Sequence, residues 1–456
     1  MDETLWTMSA TETATRVRSG ELDPVEVVTA ALARIEAKDP TVGAFVARRD
    51  HDALEEARQL AGRDDLSDLP LAGVPVAIKD VEDVEGMATR HGSTGTDAAV
   101  VAEDGPVTAA LREAGAVIIG KTRLPELAIW PFSDDDSGIA RNPWDLSRSS
   151  GGSSGGSATA VAAGLAPLAL GSDGGGSVRI PSAACGLFGI KPGRGVMPVL
   201  EPGGEVHWFG MSHFGPLATT VADGALMLDV MAGTDRYRHP SPPDRPLRVA
   251  VSAKASSPLG LVDGQWRDAV IATARVLHRA GHQLTAASPP YTFADVRAFL
   301  ARWLRGPERD VQQLGLDPDD LQPRTQAHLR AGRASERVLP IEDGQVRSWR
   351  DRVARFFERF DVLLTPTLAA FPVDAAVWRE RPWAANFAAA LPQAEFTSMW
   401  NLADFPAASV PAGLSEEGLP LAVQIVAPEG HEQTVLSLAA HIEELAPWPR
   451  HPAGAV

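Results

Sequence analysis

The 456-residue chain contains little cysteine and little lysine, and it has no long apolar run. Its single cysteine, Cys185, excludes an internal disulfide and any metal cluster built on cysteines. No stretch approaches the roughly 18 consecutive apolar residues that a membrane-spanning helix needs. The first residues, Met1–Thr4, lack the basic and apolar segments of a secretory signal. We therefore expect a soluble protein of the cytoplasm.

Basic charge is also scarce, since the formal net charge is −17 at pH 7. A phosphate backbone or an anionic membrane binds a basic surface, so neither nucleic acid nor membrane is an expected partner. The composition, 44% hydrophobic and 22% charged, is that of an ordinary globular protein. The oligomeric state is not readable from the sequence, and a homodimer is one option.

Lysine is rare even among the basic residues. Of 42 lysines and arginines only five are lysines, at positions 38, 79, 121, 191 and 254. Arginine stays protonated at any working pH, whereas a buried lysine can lose its proton. Lys79 closes the apolar run 71–78, so burial there would lower its pKa from about 10.4 towards neutrality. Lys79 is thus a candidate proton acceptor, although a surface lysine in an arginine-biased chain is the plain alternative.

Hydrophobic periodicity predicts alternating helices and strands. The first 45 residues read as helical, with Asp23 as cap and Pro24 as first residue of one helix, and a second helix is predicted over 52–60. Further helices are predicted over 108–114, 158–165, 221–232 and 432–444, and 265–360 reads as mostly helical. Strands are predicted over 71–80, 116–120, 167–170, 247–252, 361–366 and 421–427. This alternation indicates an α/β protein whose sheet is buried on both faces, organised as a single compact domain.

Two glycine–serine segments, 151–157 and 171–177, are the most distinctive part of the chain. A flexible linker is disfavoured because a short helix and strand follow the first segment at once. A phosphate loop is disfavoured because neither segment contains a lysine or the Gly-x-Gly-x-x-Gly spacing. Successive glycines before a serine leave backbone N–H groups uncovered, as an oxyanion hole requires. The serine still needs a base. No histidine lies in either segment, so Lys79 is the better candidate, and a distant histidine stays open.

Five ordered motifs carry a resemblance to a known family. They are Val76–Asp80, Asn142–Asp145, Gly151–Ser157, Gly171–Pro181 and Gly186–Pro192. Together they resemble the amidase signature family over about residues 71–223. The resemblance returns at Leu364–Thr367 and at Asn401–Val426, and it is weak between about 236 and 350.

The resemblance implies one domain over 1–456, with a mixed central β-sheet covered by helices on both faces. Its parts would be a helical segment 1–70, a signature core 71–223, a variable and mainly helical rim or lid 236–350, and C-terminal strands and helix 361–445. It also implies a catalytic triad: Ser177 as nucleophile, Ser153 as the bridging serine after a cis peptide bond, and Lys79 as base. The backbone N–H groups of Gly174, Gly175, Gly176 and Ser177 would hold the oxyanion. No metal and no cofactor is implied.

Supporting roles follow for neighbouring residues. Asp173 and Arg179 would brace the nucleophile loop, since buried charges need partners, and Ser154 would bond Lys79 or the loop backbone. Ala128, Ile129 and Trp130 match a segment that lines the acyl pocket, so Trp130 predicts an apolar or aromatic wall. Gly174 stands where the family usually has a larger side chain, which predicts a more open or mobile loop. Cys185, Lys121 and Lys191 are expected to be structural.

The implied function is the hydrolysis of a small carboxamide through an acyl-enzyme that water clears. Two alternatives stay open. One is the A subunit of a glutamyl-tRNA amidotransferase, which would use the same triad to release ammonia from glutamine. The other is a catalytically silent binding protein on the same fold.

Overall fold

An eleven-stranded mixed sheet runs through the chain, which the computed structural model describes over residues 5–197, 207–257 and 260–454. The strands are β1 (Phe45–Arg48), β2 (Pro75–Lys79), β3 (Val117–Thr122), β4 (Asp134–Asp135), β5 (Gly138–Ile139), β6 (Arg141–Asn142), β7 (Asp145–Ser149), β8 (Leu168–Asp173), β9 (Phe188–Lys191), β10 (His213–Ala218), β11 (Arg248–Val251), β12 (Gln283–Ala286), β13 (Val362–Pro366), β14 (Ala407–Leu414) and β15 (Pro420–Val426). The large sheet has the order β1-β3-β2-β8-β10-β9-β14-β15-β13-β11-β12, while β4–β5 and β6–β7 form two small hairpins.

Helices connect these strands. They are α1 (Ala10–Arg18), α2 (Pro24–Val42), α3 (Asp50–Ala61), α4 (Pro106–Glu113), α5 (Gly155–Ala162), α6 (Arg179–Cys185), the single turn α7 (His207–Gly210), α8 (Val221–Met231), α9 (Gly264–Arg279), α10 (Phe293–Gln313), α11 (Pro323–Ser335), α12 (Asp343–Phe357), α13 (Trp383–Ala394), α14 (Ser398–Ala403) and α15 (Glu432–Leu445). Short 3₁₀ turns lie at Leu5–Thr7, Leu66–Asp68, Glu126–Ala128, Pro318–Asp320 and Trp378–Glu380. No described helix combines the length and the apolar character needed to cross a bilayer.

The sheet combines both strand directions. β2 runs parallel to its neighbours β3 and β8, and β11 runs parallel to β12 and β13. The other neighbours are antiparallel. Parallel strands need both faces covered, because helical crossovers connect them. This arrangement places β2 and β8 side by side in the interior of the sheet, where their ends bring Lys79 and Ser172 together.

Helices cover both faces of the sheet. One apolar cluster unites α4, α8, α9 and α15 with one face, whereas α2, α3 and α5 pack on the other. Successive side chains of β13 point to opposite faces of the sheet. Val362 and Leu364 belong to the first cluster, whereas Leu363 belongs to a third, aromatic-rich cluster that includes residues of α10, α12 and α14. The predicted fold class, a mixed central sheet flanked by helices, is confirmed.

Several local predictions are confirmed and several need correction. The Asp23 carboxylate accepts the N–H of Val25 at 2.7 Å, and α2 begins at Pro24 as predicted. Residues 1–70 are not wholly helical, because Phe45–Arg48 forms the edge strand β1. The mainly helical region 236–350 contributes another unpredicted edge strand, Gln283–Ala286, and the central strands β9, β10 and β14 were not predicted either. Four-residue strands with one sheet neighbour carry too little alternation to be read from sequence.

The glycine–serine segments are less loop-like than their composition indicates. Gly155, Gly156 and Ser157 form the first turn of α5, and all three are fully buried. Gly171, Ser172 and Asp173 are the last residues of β8. The first segment therefore turns directly into a helix, and the second continues a strand. The two catalytic serine candidates lie in short turns beside these elements, Ser153 two residues before α5 and Ser177 two residues before α6.

Candidate active site

The end of β2 carries a buried amine surrounded by hydroxyl groups. Lys79 is fully buried, and its Nζ donates to Ser153 Oγ and to Ser172 Oγ, each at 2.8 Å. A weaker contact reaches the Ser172 carbonyl at 3.4 Å. Burial lowers the pKa of Lys79 from 10.5 to about 7, although the charge of Asp173 acts in the opposite direction. A substantial fraction of this amine is therefore neutral near pH 7.

Ser153 lies in the turn between β7 and α5. The peptide bond between Gly152 and Ser153 is cis, as the resemblance implies. The next residue, Ser154, donates its backbone N–H to the Ser177 carbonyl at 3.2 Å. Its hydroxyl exchanges hydrogen bonds with the backbone of Ser172, both at 3.2 Å. Ser154 thus binds the backbone of β8 and not Lys79, and it joins the two glycine–serine segments.

Ser177 lies half-buried at the turn that leads into α6. Among the described residues, no hydrogen bond from its hydroxyl is found. The structure therefore brings Lys79 and Ser153 into direct contact, and it holds Ser177 beside them through the Ser154–Ser177 backbone bond. It does not place the Ser177 and Ser153 hydroxyls in a direct hydrogen bond.

Three of the four expected oxyanion donors are uncommitted. The backbone N–H groups of Gly174, Gly175 and Ser177 have no hydrogen-bond partner within the described parts of the chain. The N–H of Gly176 differs, because it donates to Asp173 Oδ1 at 2.7 Å. The expectation for Gly176 is corrected accordingly: Asp173 uses this donor to fix the loop, and the three remaining N–H groups are available to an oxyanion.

A buried ion pair holds the base of this loop. Asp173 and Arg179 are both fully buried, and two guanidinium nitrogens lie 2.9 Å from the two carboxylate oxygens. Burial raises the pKa of Asp173, but the charge and hydrogen bonds of Arg179 outweigh it and keep that pKa well below its usual range. Arg179 also donates to Asn401 Oδ1 and to Gln424 Oε1, each at 2.7 Å. The expected bracing contact is present in this geometry.

Sequence reasoning missed three polar residues of the site: Ser172, Asn401 and Gln424. Ser172 is the second hydroxyl acceptor of Lys79. Gln424 stands in the otherwise apolar strand β15, and Asn401 is buried in α14. A polar side chain inside a buried apolar run needs a partner, and that signal could have identified Gln424.

Histidine does not contact the triad. No hydrogen bond joins a histidine to Lys79, Ser153 or Ser177 anywhere in the described ranges. His213, which pairs in register with Asp173, instead faces Asp404, with Nε2 and Oδ1 2.6 Å apart. The geometry favours Lys79 as the base over a distant histidine.

A cavity of about 540 Å³ has Ser172, the hydroxyl partner of Lys79, in its wall. Leu127 and Ala128 line it together with polar groups that include His207 and Asp310. Ile129 and Trp130 do not line this cavity. Trp130 is 0% exposed; it stacks on Phe132 and makes edge contacts with Trp303 and His328 in the aromatic core. The expectation that Trp130 forms a wall of this cavity is therefore wrong, because its ring is fully buried among other rings.

The loop at Gly174 is not open. A Cβ added to Gly174 would lie 3.2 Å from Cε3 of Trp208, so an indole ring occupies the space of the missing side chain. The prediction of a more open loop at this position is wrong for that reason.

The other singled-out residues have structural contacts. Cys185 is buried, which raises the pKa of its thiol far above the usual range. Lys121 pairs with Asp80 at 3.1 Å, and Lys191 donates to the Pro192 carbonyl at 2.6 Å. Nowhere in the described segments do three or more His, Cys, Asp or Glu side chains gather as metal ligands.

Comparisons with known proteins agree with this geometry. Residues 26–436 match the family model described as Amidase. The chain is 40% identical to AmiB2 of Mycobacterium tuberculosis, which is named as an amidase, over 91% of each chain. It is 35% identical to the acylamidase of Rhodococcus erythropolis, over 98% of this chain and 97% of that one.

Solved structures show the same relationship. The 6-aminohexanoate cyclic dimer hydrolase superposes with a TM-score of 0.85 at 30% identity, over 97% of this chain and 98% of that one. A bacterial aryl acylamidase of the amidase signature family superposes with a TM-score of 0.79 at 26% identity, over 96% of each chain. The chain accordingly belongs to the amidase signature family and is an amidohydrolase that acts on carbon–nitrogen amide bonds.

Proposed function

We propose that this protein hydrolyses a small carboxamide through an acyl-enzyme on Ser177, with Ser153 as proton bridge and Lys79 as base. The observation that carries the proposal is the 2.8 Å contact between Lys79 Nζ and Ser153 Oγ in a site where none of the described carboxylates touches the amine. A neutral amine can accept a proton, and burial favours that neutral form.

In the acylation step the Ser177 oxygen attacks the amide carbon. The Ser177 proton passes to Ser153 Oγ, whose own proton passes to Lys79 Nζ, so the amine becomes an ammonium. The carbonyl oxygen becomes an oxyanion, and the N–H groups of Gly174, Gly175 and Ser177 stabilise it. Preorganised donors of this kind are worth about 10²–10³ in rate for each donor.

In the second half of acylation the C–N bond breaks. The leaving nitrogen takes a proton from Ser153, which takes one back from the Lys79 ammonium, so Lys79 and Ser153 return to their first state while Ser177 carries the acyl group. Water then attacks the ester on Ser177 and passes a proton to Lys79 through Ser153, and that proton returns to Ser177 Oγ as the ester bond breaks and the carboxylic acid leaves. Each proton that Lys79 takes up is therefore returned within the same half of the cycle.

Two named relatives support an amide of an organic acid as substrate. One is called an acylamidase, and another hydrolyses a cyclic dimer of 6-aminohexanoate. The cavity of about 540 Å³ beside Ser172 is large enough for a small amide. The acyl group and the amine would be identified by a screen of amides, esters and nitrile-derived substrates.

The nucleophile is tested by covalent labelling. We expect a fluorophosphonate to form one adduct, located on Ser177 by mass spectrometry of the digested protein. Ser177→Ala should abolish both the adduct and amide turnover, whereas the exposed Ser67→Ala should change neither. An unlabelled Ser177 in the unsubstituted protein would contradict the proposal and favour a catalytically silent protein.

The amidotransferase alternative predicts a different substrate and a partner. Ammonia release from glutamine at a rate above that from simple amides, together with a stable heteromeric complex, would favour that alternative. Turnover of simple amides by the isolated chain supports the amidase.

A further inference from the structure

The indole of Trp208 lies between two glycines that belong to different parts of the molecule. On one side, a Cβ added to Gly174 of the nucleophile loop would lie 3.2 Å from Cε3. On the other, a Cβ added to Gly306 of α10 would lie 2.8 Å from Cγ. The ring is 4% exposed. A side chain at either glycine would displace the ring, so both backbones depend on this packing.

Polar contacts fix the orientation of the ring. Trp208 Nε1 donates to Asp310 Oδ2 at 2.8 Å, and His207 Nε2 lies 3.0 Å from Asp310 Oδ1. Asp310 follows Gly306 by four residues on α10, so the carboxylate and the glycine present the same helix face. One face of α10 thus supplies both the space for the indole and the acceptor for its N–H group.

The backbone that carries the indole has an uncommon conformation. Trp208 has φ 48° and Phe209 has φ 60°, both in the left-handed region. Bulky residues adopt that region where their surroundings enforce it, and such positions cluster at functional sites. Asn401 ties this turn to the nucleophile loop, because its Nδ2 donates to the Met211 carbonyl at 3.0 Å and to the Asp173 carbonyl at 2.8 Å.

We propose that Trp208 is a positioning residue of the reaction: its indole packs where a side chain at position 174 would lie and sets the location of the oxyanion donors of Gly174, Gly175 and Ser177. The inference rests on the proposed function, since it needs the Gly174 N–H group to stabilise the oxyanion. It links α10, which lies in the variable region 236–350, to the rate of the chemical step.

Steric replacement tests this role. Gly174 does not have a left-handed φ, so a side chain there meets only the packing around it. Gly174→Ala requires a shift of a few tenths of an ångström and should slow fluorophosphonate labelling of Ser177 about tenfold. Gly174→Leu should slow labelling about 100-fold, comparable to the loss of one oxyanion donor. The loss should appear in kcat of an amide substrate and leave KM nearly unchanged.

The decisive variant combines two changes. Trp208→Gly removes the indole, and glycine suits the left-handed backbone at position 208. In the double variant Gly174→Leu with Trp208→Gly the leucine can fill the vacated space. Its rate of fluorophosphonate labelling should therefore be within about tenfold of that of the unsubstituted protein. The labelling rate that Gly306→Ala loses should be restored by Trp208→Gly in the same way. Gly344→Ala, which has nothing within 4 Å of its added Cβ, is the matched control and should have no effect.

The outcomes separate this inference from the proposed function. Thermal unfolding checks that each variant is folded. If the losses in labelling rate of Gly174→Leu and Trp208→Gly multiply in the double variant, the proposed role of Trp208 is overturned. If Trp208→Gly does not fold, Trp208→Phe serves instead: it keeps a ring and loses the N–H bond to Asp310, and it should lower kcat without changing KM. A change in KM with kcat unchanged would contradict the positioning role of Trp208. An unsubstituted protein that is not labelled at Ser177 would contradict the proposed function itself.

Discussion

The ends of β2 and β3 offer two lysines that are equally buried and have different partners. Lys121 Nζ lies 3.1 Å from Asp80 Oδ1 and donates to Thr89 Oγ1 at 2.9 Å. Within the described part of the chain, the Lys79 amine is hydrogen-bonded only to oxygens of Ser153 and Ser172. A carboxylate provides a buried ammonium with a counter-charge, whereas hydroxyl groups do not. The comparison teaches that two equally buried lysines differ in whether a carboxylate lies beside the amine, and the proposed base is the one that has hydroxyl partners instead.

Replacement of the two lysines gives the largest expected difference. Lys79→Ala and Lys79→Arg should each lower kcat/KM about 10³-fold or more, because guanidinium cannot accept a proton at working pH. Lys121→Arg keeps a cation for Asp80 and should retain activity within a few-fold. Amide turnover, with thermal unfolding as the folding control, measures both. Near-full activity of Lys79→Arg would show that the base lies elsewhere, and a histidine would then have to be sought.

Loss of the bridging hydroxyl should have a smaller effect than loss of the base. Ser153→Ala should lower kcat about 10²-fold, since a water can connect Lys79 to Ser177 with poorer geometry. Single-turnover acylation monitored by release of the amine measures this step. A loss that exceeds that of Lys79→Ala would contradict the order of importance.

A carboxylate placed beside Lys79 should make it resemble Lys121. Ser172 is half-buried and lines the cavity, so Ser172→Asp can be accommodated there. The new charge should raise the pKa of Lys79 and move the acid limb of kcat/KM up by about one pH unit or more. Ser172→Asn is the neutral control and should leave the limb in place. An unmoved limb in Ser172→Asp would show that Lys79 does not control the rate.

The smallest effect is expected from removal of one hydrogen-bond acceptor. Ser172→Ala removes one hydroxyl acceptor of Lys79 and keeps Ser153 Oγ and the weaker contact with the carbonyl of residue 172. It should lower kcat about fivefold, the equivalent of one hydrogen bond. The pH dependence should retain its shape. An effect as large as that of Ser153→Ala would assign Ser172 a direct part in proton transfer.

The sequence predicted the parts of the site that lie within continuous motifs. Lys79, Ser153, Ser177, Asp173 and Arg179 all stand in short segments whose residue types indicate their chemistry. The contact between Lys79 and Ser172 follows from β2 and β8 lying side by side. The Asp173–Arg179 pair is local, because the two residues are six positions apart.

Contacts between distant segments could not be predicted in this way. Trp208 meets Gly174 and Gly306 only because α10 folds back over the nucleophile loop, and a glycine at 174 indicates flexibility when it is read alone. Trp130 resembled a pocket residue by its position in a motif, yet its ring packs with Trp303 and His328. Side-chain direction and long-range packing decide these cases, and neither is encoded in local spacing.

The protonation of Lys79 tests the central claim most directly. With only five lysines in the chain, selective ¹³Cε-lysine labelling gives few signals, and Lys79→Arg assigns the one that matters. We predict that the Lys79 signal titrates with a midpoint near 7, the value to which burial lowers its pKa, and that labelling of Ser177 rises with pH over the same range. A Lys79 signal that stays that of an ammonium above pH 9 would contradict the account.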